Sequence, residues 1–188
     1  STHCISSAAS DVYKRQSYGE ARVGGQNEQV SWFGLQMILQ AYFTQPITDD
    51  MIDAAARVSE LTFNTTAYFN REVWEKVRDL GYFPVKIKAL PEGMTVPTGN
   101  ALFTIESTAD WFATSLNVLE DVLMHVWYPT TIATNSMGIR QRLAPLFEKS
   151  GTLANLAVAV NDFGLRGATS LETAKRGGAA HLLHFQGS

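Results

Sequence analysis

Thiol chemistry is nearly absent from this chain: its 188 residues hold one cysteine, Cys4. A lone cysteine excludes an intramolecular disulfide and a zinc site built on several thiolates. Long apolar runs are missing as well; none approaches the roughly 18 residues needed to cross a bilayer. Charge of one sign is not in excess. The formal net charge is −3, and Lys and Arg are scattered, with no basic run and no acidic tail. That leaves no electrostatic reason to expect nucleic acid or an anionic membrane as partner. No Walker loop or dinucleotide fingerprint occurs, and Gly177-Gly178 is no phosphate cradle because no strand leads into it. The expectation is a cytoplasmic globular protein, large enough for one domain or parts of two.

Local patterns divide the chain. Residues 1–10 are small and polar, lack a sustained period, and carry neither the charged nor the apolar region of a signal peptide. Val30 to Tyr42 holds Trp32, Phe33, Leu35, Ile38, Leu39 and Tyr42 near helical spacing. Asp49-Asp50 can cap a second helix with Ile52, Ala55, Ala56 and Ser59 on one face. Asn70 opens a third, with Val73, Trp74 and Val77 inward and Gly81 as its stop. Val85 to Ala89 alternates as a strand with one wet face. Turn signals at Pro91-Glu92-Gly93 and Pro97-Thr98-Gly99-Asn100 bracket Met94-Thr95-Val96, and Ala101 to Glu106 follows as a further strand. These strands make an antiparallel sheet. A helix from Asp110 to about Trp127 should break at Pro129. Another runs from about Thr131 to Lys149, where Pro145 predicts a kink or early end.

The last stretch carries the chemistry. Leu156 to Val160 reads as a short buried strand. Asn161-Asp162-Phe163-Gly164-Leu165-Arg166-Gly167 follows, placing an acid, an aromatic ring and an arginine within five residues. Ser170 is a plausible N-cap for a helix beginning Leu171-Glu172-Thr173-Ala174. Strand, reactive loop and helix form one unit of an α/β barrel, whose functional groups gather beyond the strand's carboxyl end. A ring at a strand end can stack on a flat base or plug a barrel mouth. An arginine between glycines can grip phosphate or form a surface ion pair. Asp162 can orient Arg166 or a water, or simply end the strand. His181 and His184, three apart on the helix, lack a nearby carboxylate and read as packing or surface rather than metal ligands. His125 reads as core-edge, and Glu120-Asp121 as a solvated helix face.

The series Asp162-Phe163-Gly164-x-Arg166-Gly167, Glu172-Thr173-Ala174 and His181-Leu182-x-x-Phe185-x-Gly187 resembles the nicotinamide phosphoribosyltransferase family. Ser17-Tyr18-Gly19-Glu20-Ala21-Arg22, Phe33-Gly34-Leu35-Gln36, Ala89 to Gly93 with Pro97-x-Gly99-Asn100, and Trp127 to Ser136 extend the resemblance over about residues 17–188. Asn161 and Leu165 depart from it, standing where members often have histidine and tyrosine. What precedes Ser17 does not match, so residues 1–16 are expected to be a non-native leader. Residues 17–150 would form an N-terminal α+β domain, and 151–188 a truncated start of the barrel domain.

The resemblance implies an α+β fold of type II phosphoribosyltransferase kind: helices and an antiparallel, open-faced β-sandwich leading into the first βα unit of an incomplete barrel. It implies synthesis of nicotinamide mononucleotide and diphosphate from nicotinamide and phosphoribosyl diphosphate. Phe163 would stack on nicotinamide and Arg166 would contact diphosphate. Arg22 would reach diphosphate across a homodimer, and Asp162 would line the site. Mg²⁺ and ATP are implied too, although no motif here binds them, and the family's phosphorylated histidine lies beyond Ser188. The isolated chain is therefore expected to be inactive. A nicotinate phosphoribosyltransferase is the neighbouring alternative, and a non-catalytic interaction domain the alternative of another class.

Overall fold

The computed structural model describes residues 2–6 and 15–187. Thr2–Ser6 (β1), Gln16–Ala21 (β2) and Gln29–Ser31 (β3) come first. Leu35–Ile38 (α1) follows and continues as a wider turn over Leu39–Phe43. Asp49–Phe63 (α2) and Arg71–Leu80 (α3) lead to the strands Val85–Ala89 (β4), Thr95–Pro97 (β5) and Ala101–Ser107 (β6). Leu116–Met124 (α4), Trp127–Ser150 (α5) and Leu171–His181 (α6) complete the order. The result is a mixed α+β fold with antiparallel sheets and, among the described residues, no closed barrel.

Four strands pair in the order β1-β2-β6-β4, every neighbour antiparallel. The antiparallel reading of residues 85–106 holds for β4 and β6, which pair Ile87 with Ile105. The third strand goes elsewhere: β5 pairs with β3, Val96 opposite Val30, in a separate two-stranded sheet. Of the stretch set apart at the start of the sequence, Thr2–Ser6 runs as an edge strand along β2. Tyr13-Lys14 lies outside the described residues.

The core forms where these sheets meet the helices. Trp32, Ile38, Leu102, Ile105, Phe112, Leu116, Leu123 and Val126 are all buried in one cluster, and α3 adds Val73 and Val77. Trp32 satisfies its indole N–H by donating to the Leu90 carbonyl at 3.0 Å, so the ring is buried without an orphaned donor. Capping follows local chemistry. Thr48, rather than Asp49, caps α2 by accepting from the Met51 amide, and Asp49 and Asp50 occupy the first turn. Asn70 caps α3 by accepting from the Val73 amide, and Gly81 ends it in the left-handed conformation.

Four expectations are corrected. The helix after Val30 begins only at Leu35, because Val30 and Ser31 hydrogen-bond as strand β3 first. Pro129 does not break the chain where expected. The interruption falls at His125–Val126, and Pro129 sits in the first turn of α5, where its missing N–H has no helical partner to lose. The helix then runs through Pro145 to Ser150 rather than stopping there.

The fourth concerns the candidate site directly. Leu156 to Val160 is not a strand: Leu153–Val158 forms a 3₁₀ turn, with Asn155 and Ala159 donating to the carbonyls of Thr152 and Leu156. A parallel strand draws its hydrogen bonds from neighbouring strands. Here a single bridge, Asn161 to Gly187, is the parallel pairing among the described residues, so the backbone closes its bonds locally instead.

Candidate functional site

The loop Asn161–Gly167 is held at its base and at its tip. At the base, the Asp162 amide donates to the Gly187 carbonyl at 3.1 Å, and Asn161 bridges Gly187. The Gln186 amide donates to Ala157 at 2.7 Å, so the segment after α6 runs back beside the loop's origin. At the tip, Asp162 Oδ1 accepts from the Gly164 amide at 2.8 Å. That carboxylate-to-backbone bond is an Asx turn, and it opens the short 3₁₀ turn Gly164–Gly167. Asp162 thus shapes the backbone: its side-chain bond goes to Gly164, not to Arg166.

Phe163 and Arg166 leave this turn toward solvent. Phe163 is 73% exposed and Leu165 67% exposed. Arg166 is exposed and makes no hydrogen bond or ion pair among the described residues. Among the described residues neither side chain makes a hydrogen bond, an ion pair or a ring contact. Arg22 is elsewhere, just past β2, whose packing neighbours are β1, β6 and α4; it is engaged by other residues of the chain. The structure groups Asp162, Phe163 and Arg166 on one loop and leaves Arg22 on another part of the molecule.

Helix α6 supports the loop from behind. Ser170 accepts from the Thr173 amide at 3.1 Å, as an N-cap should. The Glu172 carboxyl is held below its ordinary range, first by its own backbone N–H, then by the Ser170 hydroxyl, with Lys175 and Arg176 adding attraction. Gly177 and Gly178 are buried within the helix, and a Cβ at 177 would press on the Tyr128 phenol at 3.2 Å. Their role is close approach of α6 to α5, in keeping with the absence of a phosphate cradle. A groove of about 420 Å³ runs between the loop and α6, lined by Asp162, Leu165, Leu171, Lys175, Gly178 and Leu182 among others.

Two of the histidines are held by hydrogen bonds within the body of the chain. His181 is 5% exposed, with Nδ1 2.9 Å from Ser136 Oγ and Nε2 3.2 Å from the Val160 carbonyl. Its ring stacks on Phe185, centroids 5.1 Å apart. His184 is half-buried, with Nε2 2.9 Å from Ser31 Oγ. Burial pushes the His184 imidazole below its ordinary pKa, and the nearby Arg140 and His181 push it the same way. His125 is exposed, not core-edge. Among the described residues no group of three or more His, Cys, Asp or Glu is placed to hold a metal ion.

Arg176 was not singled out by the sequence, and it lies beside the loop. Its guanidinium sits over the Tyr42 ring at 5.5 Å, and with His125, Trp127, Tyr128 and Thr169 it lines a cleft of about 330 Å³. Tyr42 is 134 residues away in sequence, so no local pattern could have signalled the pair.

Comparison with known proteins agrees with the motif series. The family model "Nicotinamide phosphoribosyltransferase, N-terminal domain" matches residues 5–87. A nicotinamide phosphoribosyltransferase of Xanthomonas campestris pv. campestris (strain 8004) is 39% identical over 178 residues, 91% of this chain and 36% of the relative. One of Acinetobacter baylyi (strain ATCC 33305 / BD413 / ADP1) is 30% identical over 171 residues, 86% of this chain and 34% of the relative. The chain spans about a third of the length of these relatives. No helix among the described residues is long and apolar enough to cross a membrane. On the match to its N-terminal domain and the likeness along nine-tenths of its own length, the chain belongs to the nicotinamide phosphoribosyltransferase family.

Proposed function

We propose that this chain is the part of a cytoplasmic nicotinamide phosphoribosyltransferase that presents the base-stacking ring and one diphosphate-binding cation. The reaction joins nicotinamide to phosphoribosyl diphosphate. The pyridine nitrogen's lone pair attacks the anomeric carbon, the bond from that carbon to the diphosphate oxygen breaks, and the electron pair leaves with diphosphate. Charge builds on the departing diphosphate, and a guanidinium aimed at it stabilises that charge in the transition state. A ring stacked on the pyridine fixes its orientation toward the sugar.

The observation that supports this reading is the pair Phe163 and Arg166. Both are exposed on one short turn, and that turn is fixed through its backbone by Asp162 and by the bridge to Gly187. In this reading the remainder of the site comes from the rest of the protein and from a second subunit. Arg22 is proposed to serve a site across a homodimer. The 188-residue chain alone is expected not to turn over. The family resemblance implies Mg²⁺ and ATP; among the described residues no group of three or more His, Cys, Asp or Glu is placed to hold a metal ion.

The test is binding. Inorganic diphosphate titrated into the chain should perturb Arg166, and Arg166→Ala should weaken that binding by at least about tenfold, the loss of one charge-assisted contact. Nicotinamide binding should respond to Phe163→Ala and not to Arg166→Ala. Unchanged titrations in both variants would reject the assignment.

A further inference from the structure

We propose that His181 is a positioning residue of the phosphoribosyl-transfer site, holding as its Nε2–H tautomer the Val160 carbonyl from which the loop bearing Phe163 and Arg166 departs. The inference rests on the reading of those two residues as site residues. Its own basis is the hydrogen bonding of a buried imidazole. A carbonyl oxygen only accepts, so the nitrogen 3.2 Å from Val160 O must carry the proton. The neutral ring then has a bare Nδ1, which accepts the Ser136 hydroxyl at 2.9 Å. Both ring nitrogens are thereby used, one on α5 and one on the backbone entering the loop. Ser136 and His181 are 4% and 5% exposed, so neither bond has water as a ready substitute.

Simple packing does not require this residue type. An apolar side chain could fill the volume against Phe185, but it would leave the Ser136 hydroxyl and the Val160 carbonyl without these partners. The Val160 carbonyl matters for the site because Asn161, Asp162 and Phe163 follow it directly. Together with the Asn161–Gly187 bridge it sets the direction in which the loop leaves the packed body. Among the described residues Phe163 and Arg166 make no hydrogen bond, ion pair or ring contact to orient them, so their placement depends on the backbone beneath.

Two substitutions separate the nitrogens. In His181→Gln the side-chain amide reaches the Nε2 position and can donate to Val160; in His181→Asn it reaches only the Nδ1 position, opposite Ser136. Imidazole ¹⁵N resonances of the chain should show Nε2 protonated and Nδ1 bare; the reverse overturns the proposal. Backbone amide resonances of residues 161–166 should move in His181→Asn and stay in His181→Gln. Affinity for inorganic diphosphate should fall about tenfold in the Asn variant and stay within about twofold in the Gln variant, the size of one hydrogen bond.

If the Asn variant fails to fold, Ser136→Ala takes its place. It deletes the other bond and should leave the loop resonances and diphosphate affinity unchanged while lowering stability. Loop movement in Ser136→Ala would mean that His181 acts only through general packing, and would overturn the proposal. If the unsubstituted chain binds no diphosphate, the assignment of Arg166 fails, while the tautomer and the loop resonances still decide the role of His181.

Discussion

Asn161 and Gly187 meet at a single parallel bridge, and the Asn161 side chain occupies the space that a Cβ at position 187 would need. The two residues lie at the origin of the Asn161–Gly167 loop and just beyond α6. Their contact ties the loop to the segment that follows the helix, and only glycine at 187 leaves Asn161 its place.

Gly187→Ala should therefore destabilise the loop base by about 1–2 kcal/mol, an overpacking cost softened by the freedom of the exposed Asn161 side chain. Asn161→Ala alone should change little. The double variant should recover most of what Gly187→Ala loses, because the overlap is then gone. Urea unfolding of the four proteins completes the cycle; an additive result would mean that the two residues do not interact.

Asp162 acts through the Gly164 amide. Asp162→Asn keeps an oxygen in the same place and should preserve the turn. Asp162→Ala removes the acceptor, and the Gly164 amide should then exchange with solvent up to about tenfold faster, equivalent to one ordinary hydrogen bond. Equal exchange in both variants would show that the carboxylate charge, rather than its oxygen as an acceptor, holds the turn.

His184 makes stability depend on pH near neutrality. Its folded-state pKa lies below the ordinary value, first because it is partly buried and then because the Arg140 guanidinium disfavours a second positive charge beside it. The unfolded chain therefore takes up the proton more readily than the folded one, so stability falls as pH falls. The contribution is fully present above the ordinary histidine pKa of about 6.5 and is lost between there and the lower folded value. The melting temperature should drop from pH 7.5 to 5.5, and His184→Gln should flatten that drop. A parallel pH profile in the variant would assign the effect to other groups.

What was legible in the sequence was local. Ser170 and Asn70 were readable as caps because a cap bonds to an amide three residues on. The turn that carries Phe163 and Arg166 was readable because Gly164 and Gly167 mark it. The run Leu156 to Val160 was misread for the complementary reason. Five apolar residues form a strand or a turn according to what lies beside them, and that information is not in the run. The partner of β5 was hidden in the same way: Val96 pairs with Val30 across 66 positions rather than with its neighbours in sequence. The two hydrogen bonds of His181 join α5 to the loop base and have no sequence signature.

Gly34 offers a check on the body that carries the site. It stands before α1 with φ 107°, in the left-handed region, and a Cβ there would overlap the Pro129 ring in the first turn of α5. The same α5 carries Ser136, the partner of His181. Gly34→Ala meets two separate penalties: the backbone conformation disfavours an L side chain by about 1–2 kcal/mol, and the overlap adds about 1–3 kcal/mol. A loss of about 2–5 kcal/mol is expected in urea unfolding. Adding Pro129→Ala should return the packing part but not the backbone part, because the second substitution makes room without changing φ. Complete recovery in the double variant would show that φ at Gly34 relaxes freely, and no recovery would show that α5 does not bear on this turn.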